Sequence, residues 1–221
     1  MIFAKQNQPL RSLIKGICTL AVILNQTIKK LNRMKKLIAL FALTLLFTTQ
    51  AEAQTKIGGI VMPNVMKVGD DYLKMNGGGI RQKMWIDLYV GVLYLSNKTS
   101  DADKIMSADE PMAIKMRIIS GMVSNSKLEG AVRDGMDKST NGNIDPVKDR
   151  MEKMIAKGFA EDVNDGDEFD IIYIPGEGTS LKKNNKTLVT LEGLDFKKAV
   201  FGIWLCDEPA QESLKKKMLG L

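Results

Sequence analysis

The stretch Asn76-Gly77-Gly78-Gly79-Ile80-Arg81-Gln82-Lys83-Met84-Trp85-Ile86-Asp87-Leu88-Tyr89-Val90-Gly91-Val92-Leu93-Tyr94-Leu95 carries the strongest extended-chain signal in the sequence. From Ile80 to Leu95 it is rich in Ile, Leu, Val, Tyr and Trp, whose branched or aromatic side chains suit a pleated surface. It reads as one long strand entered from a glycine turn. Arg81 stands at its head. A cation there is either a solvated strand end or the holder of an anionic ligand in an apolar cleft. Tyr89 lies on the same face of such a strand, with Lys83 and Asp87, while Gln82 does not. At roughly 3.3 Å per residue, an unbroken strand separates Arg81 from Tyr89 by about 26 Å. One carboxylate meets both only if the segment folds back.

Turn signals divide the flanking chain. Lys56 to Val61 is a short β-prone segment ended by Pro63-Asn64, and Asp71 to Lys74 is a second one. The polar run Asn97 to Asp103 ends the long strand. Met112, Ile114, Met116 and Ile118 alternate with Lys115 and Arg117 in a strand reaching Ile119. Ser126 and Glu129 form a capping-box pair before a helix with Leu128, Ala131, Val132 and Met136 on one face. Asp145-Pro146 opens a second helix with Val147, Met151, Met154 and Ile155 inward and Gly158 at its close. Strands follow at Phe169 to Ile174, Thr179 to Lys182 and Lys186 to Leu191. Asp195 caps a helix bearing Phe196, Ala199, Val200, Ile203 and Trp204, and a short last helix carries Leu214 and Met218. Segregated strands and helices predict an α+β fold with a largely antiparallel sheet and helices on one face.

Composition removes several chemistries. The 221 residues include no histidine and two cysteines, which excludes a Ser-His-Asp triad, a Cys-His pair, an HExxH zinc site and a Cys₄ metal site. Cys206 follows Ile203-Trp204-Leu205 and reads as a buried apolar residue. The net charge of +6 belongs to the leader: residues 1–53 hold eight basic groups and one acid, which leaves 24 basic and 25 acidic groups beyond them. A near-neutral body is not a nucleic-acid footprint.

Met34-Lys35-Lys36, the apolar run Leu37 to Phe47 and Ala51-Glu52-Ala53 make a three-part signal peptide, with cleavage after Ala53. The run is shorter than the ~20 residues of a permanent span. Residues 1–33 read as a start-site extension outside the fold, residues 34–53 as the signal and residues 54–221 as one domain. Cys18, preceded by Ile17, is a poor lipoprotein site. The expected location is periplasmic or secreted. The glycine run lacks a following Gly-Lys-Ser/Thr and is no phosphate cradle. The acidic turn Asp162 to Asp167 departs from the calcium-loop pattern. No metal and no cofactor are expected.

The stretch from Asn76 to Leu95 resembles the chalcone isomerase-like superfamily. So do Tyr173-Ile174-Pro175-Gly176-Glu177-Gly178-Thr179, the segment Phe196 to Leu205 with Pro209, and the final Leu214 to Gly220. The resemblance covers roughly Lys56 to Leu221. It implies an open-faced β-sandwich, a large antiparallel sheet with helices packed on one face and a cleft between. In the enzymes of that superfamily an arginine holds a phenolate and the developing enolate, and Arg81 matches it. Their threonine, tyrosine, asparagine and late pair of Ser or Thr followed by Ile or Met are replaced here by Tyr89, Lys127, Asp134 and Ile203-Trp204. Fatty-acid-binding members hold the ligand carboxylate with an arginine and a tyrosine, which Arg81 and Tyr89 resemble.

The resemblance thus implies a binding protein for a small amphipathic acid, with Arg81 and Tyr89 on the headgroup and Trp204 or Phe201 along the tail. The alternative is an isomerase or intramolecular lyase with Arg81 as electrophile and Tyr89 or Lys83 in proton transfer. In a third reading, a structural module, Arg81 merely pairs with a neighbouring acid.

Overall fold

A computed structural model describes residues 54–221 and, upstream, positions 24–26, 29–31, 33 and 35, all helical and in a unit separate from Glu52–Leu221. Apart from Lys35, the expected signal segment lies outside the described residues, as does Cys18.

A hairpin of β1 (Gln54–Ile57) and β2 (Ile60–Pro63) precedes a seven-stranded sheet. The sheet strands are β3 (Val65–Val68), β4 (Asp71–Lys83), β5 (Ile86–Leu95), β6 (Met112–Ile118), β7 (Glu168–Ile174), β8 (Gly178–Lys183) and β9 (Lys186–Leu191). Spatial order follows chain order and every pairing is antiparallel. Helices α1 (Ala102–Ser107), α2 (Asn125–Ser139), α3 (Lys148–Gly158), α4 (Leu194–Leu205) and α5 (Glu212–Met218) fill the connections and the chain end. This is the predicted α+β class, a large antiparallel sheet backed by helices.

Alternation along β5 and β6 sorts the core into two layers. Tyr89, Leu93, Leu95, Met112, Ile114, Met116 and Ile118 face the helices and join Trp204, Phe201 and Phe196 in one apolar cluster. Val90, Val92, Tyr94 and Ala113 face the other way and pack under Met62 of the β1–β2 hairpin, where the Tyr94 hydroxyl donates to the Pro63 carbonyl at 2.8 Å. Farther along that second face, Lys115 opposes Asp170 and Arg117 opposes Glu168 across β6 and β7. Lys115 lies 2.8 Å from Asp170 and 3.0 Å from Glu168, so charge pairing replaces apolar cover there.

Several local expectations are corrected. The segment read as one strand from Lys56 to Val61 is a hairpin turning at Gly58-Gly59, both with positive φ. The glycine run is no turn: Asp71 to Lys83 is one strand, and Gly77 to Gly79 lie within it. Their missing side chains admit α5. A Cβ on Gly77 would collide with the Lys217 carbonyl, and one on Gly79 would come within 2.7 Å of Lys217 Cδ. The long strand from Ile80 to Leu95 is broken at Met84-Trp85, where the chain reverses. The strand β3 and helix α1 were not foreseen, the latter because its start is polar. The capping box does not form: α2 begins at Asn125, with Ser124 before it and no side-chain cap. Asp195 likewise lies inside the first turn of α4, bonded to Arg150, and Gly193 takes the cap position.

Candidate functional site

The reversal at Met84-Trp85 decides the site. It makes Arg81 and Tyr89 direct cross-strand partners, replacing the separation that a continuous strand would impose. Side chains of directly opposed residues share one face of the sheet. A bulge follows at once: Arg81 opposes Tyr89, Gln82 opposes Asp87, and Leu88 is the extra residue. Such an insertion re-aims nearby side chains at a strand end.

Tyr89 is buried and Arg81 half-buried. The indole N–H of Trp204, from the last turn of α4, donates to the Tyr89 hydroxyl at 3.0 Å. The phenol oxygen is thereby occupied as an acceptor, and its own hydrogen is left for donation. Burial pushes the Tyr89 phenol up, against the pull of the Trp204 hydrogen bond and the Arg81 cation. It is a neutral donor at physiological pH, not a ready base.

Arg81 Nη1 donates to the Gln82 carbonyl at 2.6 Å and to Gln211 Oε1 at 3.0 Å. The same Gln211 oxygen accepts from the Gln82 backbone N–H at 2.7 Å. Gln211 immediately precedes α5 and closes over the end of the β4–β5 hairpin from 130 residues away. Arg81 makes no salt bridge with any carboxylate among the described residues. The reading in which it pairs with a neighbouring acid therefore lacks its partner.

The structure thus brings Arg81, Tyr89 and Trp204 to one end of the helix-covered face. Phe201 lies elsewhere in the same core, its ring 5.6 Å from Lys197 Nζ. Lys83 is exposed near the hairpin tip. Cys206 is buried and unpaired, as its neighbours suggested. Gln211 escaped the sequence reading because nothing local marks it; only the packing of α5 on the glycines of β4 carries it to Arg81. A depression of about 90 Å³ beside Leu95, Ile105 and Met112 lies at the far end of β5 and includes none of these residues. Among the described residues no helix is long and apolar enough to cross a membrane.

A family model described as chalcone isomerase-like matches residues 54–220. Among solved structures, a fatty-acid-binding protein of Arabidopsis thaliana shares the fold, with a TM-score of 0.61 at 16% identity, covering 76% of this chain and 96% of that one. No curated protein matches the sequence.

Proposed function

As this chain belongs to the chalcone isomerase-like family, we propose that it binds a fatty acid or a similar amphipathic carboxylate, with Arg81 neutralising the headgroup. The observation that carries the reading is a half-buried arginine whose partners are neutral oxygens, set opposite a buried phenol with a free hydrogen. The fold shared with a plant protein described as fatty-acid-binding supports it. Gln211 Oε1 accepts from both Arg81 Nη1 and the Gln82 N–H. A carboxylate oxygen is the stronger acceptor and takes that place, while Tyr89 donates to the headgroup. Trp204 orients the phenol and offers its ring to the first part of the tail.

Native mass spectrometry after incubation with long-chain fatty acids tests this. Wild type is expected to retain one acid and Arg81→Ala to lose it; equal retention by the variant refutes the assignment. Turnover of a phenolic enone, lost in Arg81→Ala, would replace the binding reading with an isomerase.

We also propose export directed by residues 34–53. The protein recovered from its own cells is then expected to begin at Gln54, which N-terminal sequencing reads directly.

A further inference from the structure

The β4–β5 turn presents an unusual surface. Lys83 pairs with Ile86, so Met84 and Trp85 are the two central residues of a two-residue loop, with φ of 48° and 69°. Such turns favour Asn or Gly because side chains tolerate the left-handed region poorly. The same molecule shows the ordinary solution: Lys183 pairs with Lys186 around Asn184-Asn185, with φ of 49° and 67°. At the β4–β5 turn, two of the bulkiest apolar side chains occupy equivalent positions. Neither is sheltered: Trp85 is 100% exposed and Met84 81% exposed. Their placement opposes both turn chemistry and burial, so folding does not account for it.

The surroundings indicate what covers them. At the same end of the sheet the chain leaves β6 past Leu88, with the Ile119 N–H donating to the Leu88 carbonyl, and reaches Met122, 53% exposed. Lys127 Nζ donates to the Met122 carbonyl, and Lys83 adjoins Met84, so cations flank the apolar tips. Of the carboxylates beside the turn, Asp87 accepts from the Gln82 side-chain amide and Glu212 lies 3.8 Å from Lys216, while exposed Asp162 and Asp165 belong to the turn that meets the end of β6 at Ile118. Trp and Met projecting from a tight turn, with Lys83 beside them and Lys127 at Met122, match the layering of an anionic membrane surface, where indole rings settle at headgroup level and ammonium groups meet phosphates. We propose that the Met84-Trp85 turn is a lipid-surface anchor that docks the β4–β5 end of the protein on anionic bilayers. The proposal needs no ligand in the Arg81 site and stands independently of that reading.

The test uses residues 54–221, which lie within one compact unit and lack the basic, apolar leader, and vesicles of equal parts phosphatidylcholine and phosphatidylglycerol, with and without brominated acyl chains. Trp85 emission is expected to shift to shorter wavelength on binding and to be quenched by the brominated lipid, while buried Trp204 is not. The double variant Met84→Asn, Trp85→Gly installs the favoured turn. It is expected to unfold at higher urea than wild type, yet to partition onto vesicles roughly tenfold less. Added salt is expected to weaken wild-type binding, because the lysines meet the anionic headgroups. Unquenched Trp85, or a double variant that binds vesicles as well as wild type, overturns the proposal. So does a wild-type dimer in sedimentation, without lipid, that the double variant abolishes, because the tip would then belong to a second copy.

Discussion

At the scale of single residues, the informative group is Gln211. Its amide oxygen holds Arg81 and the Gln82 N–H together, and so competes with any carboxylate for the same donors. Gln211→Ala is therefore expected to tighten fatty-acid binding several-fold. Gln211→Glu, which offers Arg81 an internal carboxylate, is expected to weaken it. Isothermal titration of the pair separates competition from mere support of the site, since a supporting residue would lose affinity in both variants. Tyr89→Phe keeps the ring and the packing but removes the donor. A hydrogen bond to a charged group is worth about 1.5–3 kcal/mol, so its affinity is expected to fall tenfold or more.

At the scale of elements, helix α5 is held by what β4 lacks. Gly77 and Gly79 let the Lys217 backbone and stem lie against the strand, and Asn76 Nδ2 donates to the Met218 carbonyl at 2.8 Å and the Thr99 carbonyl at 3.0 Å. Gly77→Ala forces a methyl group into the Lys217 carbonyl, and backbone cannot step aside as a flexible side chain can. Overpacking of this kind costs about 1–3 kcal/mol. The urea midpoint is expected to fall accordingly. Because α5 carries Gln211 to Arg81, amide exchange in residues 211–220 is expected to quicken more than exchange in β6 or β7. Unchanged exchange there would mean that α5 is fixed by other contacts.

At the scale of the whole molecule, the most consequential charge is Lys197. It is wholly buried in α4, and its ammonium donates to the carbonyls of Ile105, Met106 and Ala108 at the end of α1, at 2.7–3.0 Å. The rings of Tyr173 and Phe201 lie 5.5 and 5.6 Å from it. Burial, with the nearby Lys198 charge, pulls its pKa down from 10.5 to about 8. Between those values the unfolded chain keeps a proton that the folded chain has shed, so stability rises with pH across that window. Above 10 the opposite term enters: Tyr89 and Tyr94 are raised by burial, and the unfolded chain loses their protons first. The urea midpoint is therefore expected to climb between pH 8 and 10 in wild type. Lys197→Met, which has nothing to titrate, is expected to stay flat over that range.

Local pattern determined much of this protein. Alternation of Met112, Ile114, Met116 and Ile118 against Lys115 and Arg117 placed β6 and its two faces, because a pleated strand has a period of two. Apolar spacing likewise placed α3 and α4, and the α+β class followed. Arg81 and Tyr89 were legible as candidates from residue type and resemblance. Their meeting was not. A turn built from Met and Trp carries no turn signal, so the reversal between β4 and β5 was hidden inside a continuous β-prone stretch. The glycines of β4 misled for the converse reason: they look like a turn, yet their purpose is set by a helix more than 130 residues away. Gln211, Trp204 and the carbonyls around Lys197 find their partners only when distant segments pack. Periodicity reports which face of an element is apolar; it holds no record of which distant element will cover that face. That choice belongs to the tertiary fold, and it is what joins Arg81, Tyr89, Trp204 and Gln211.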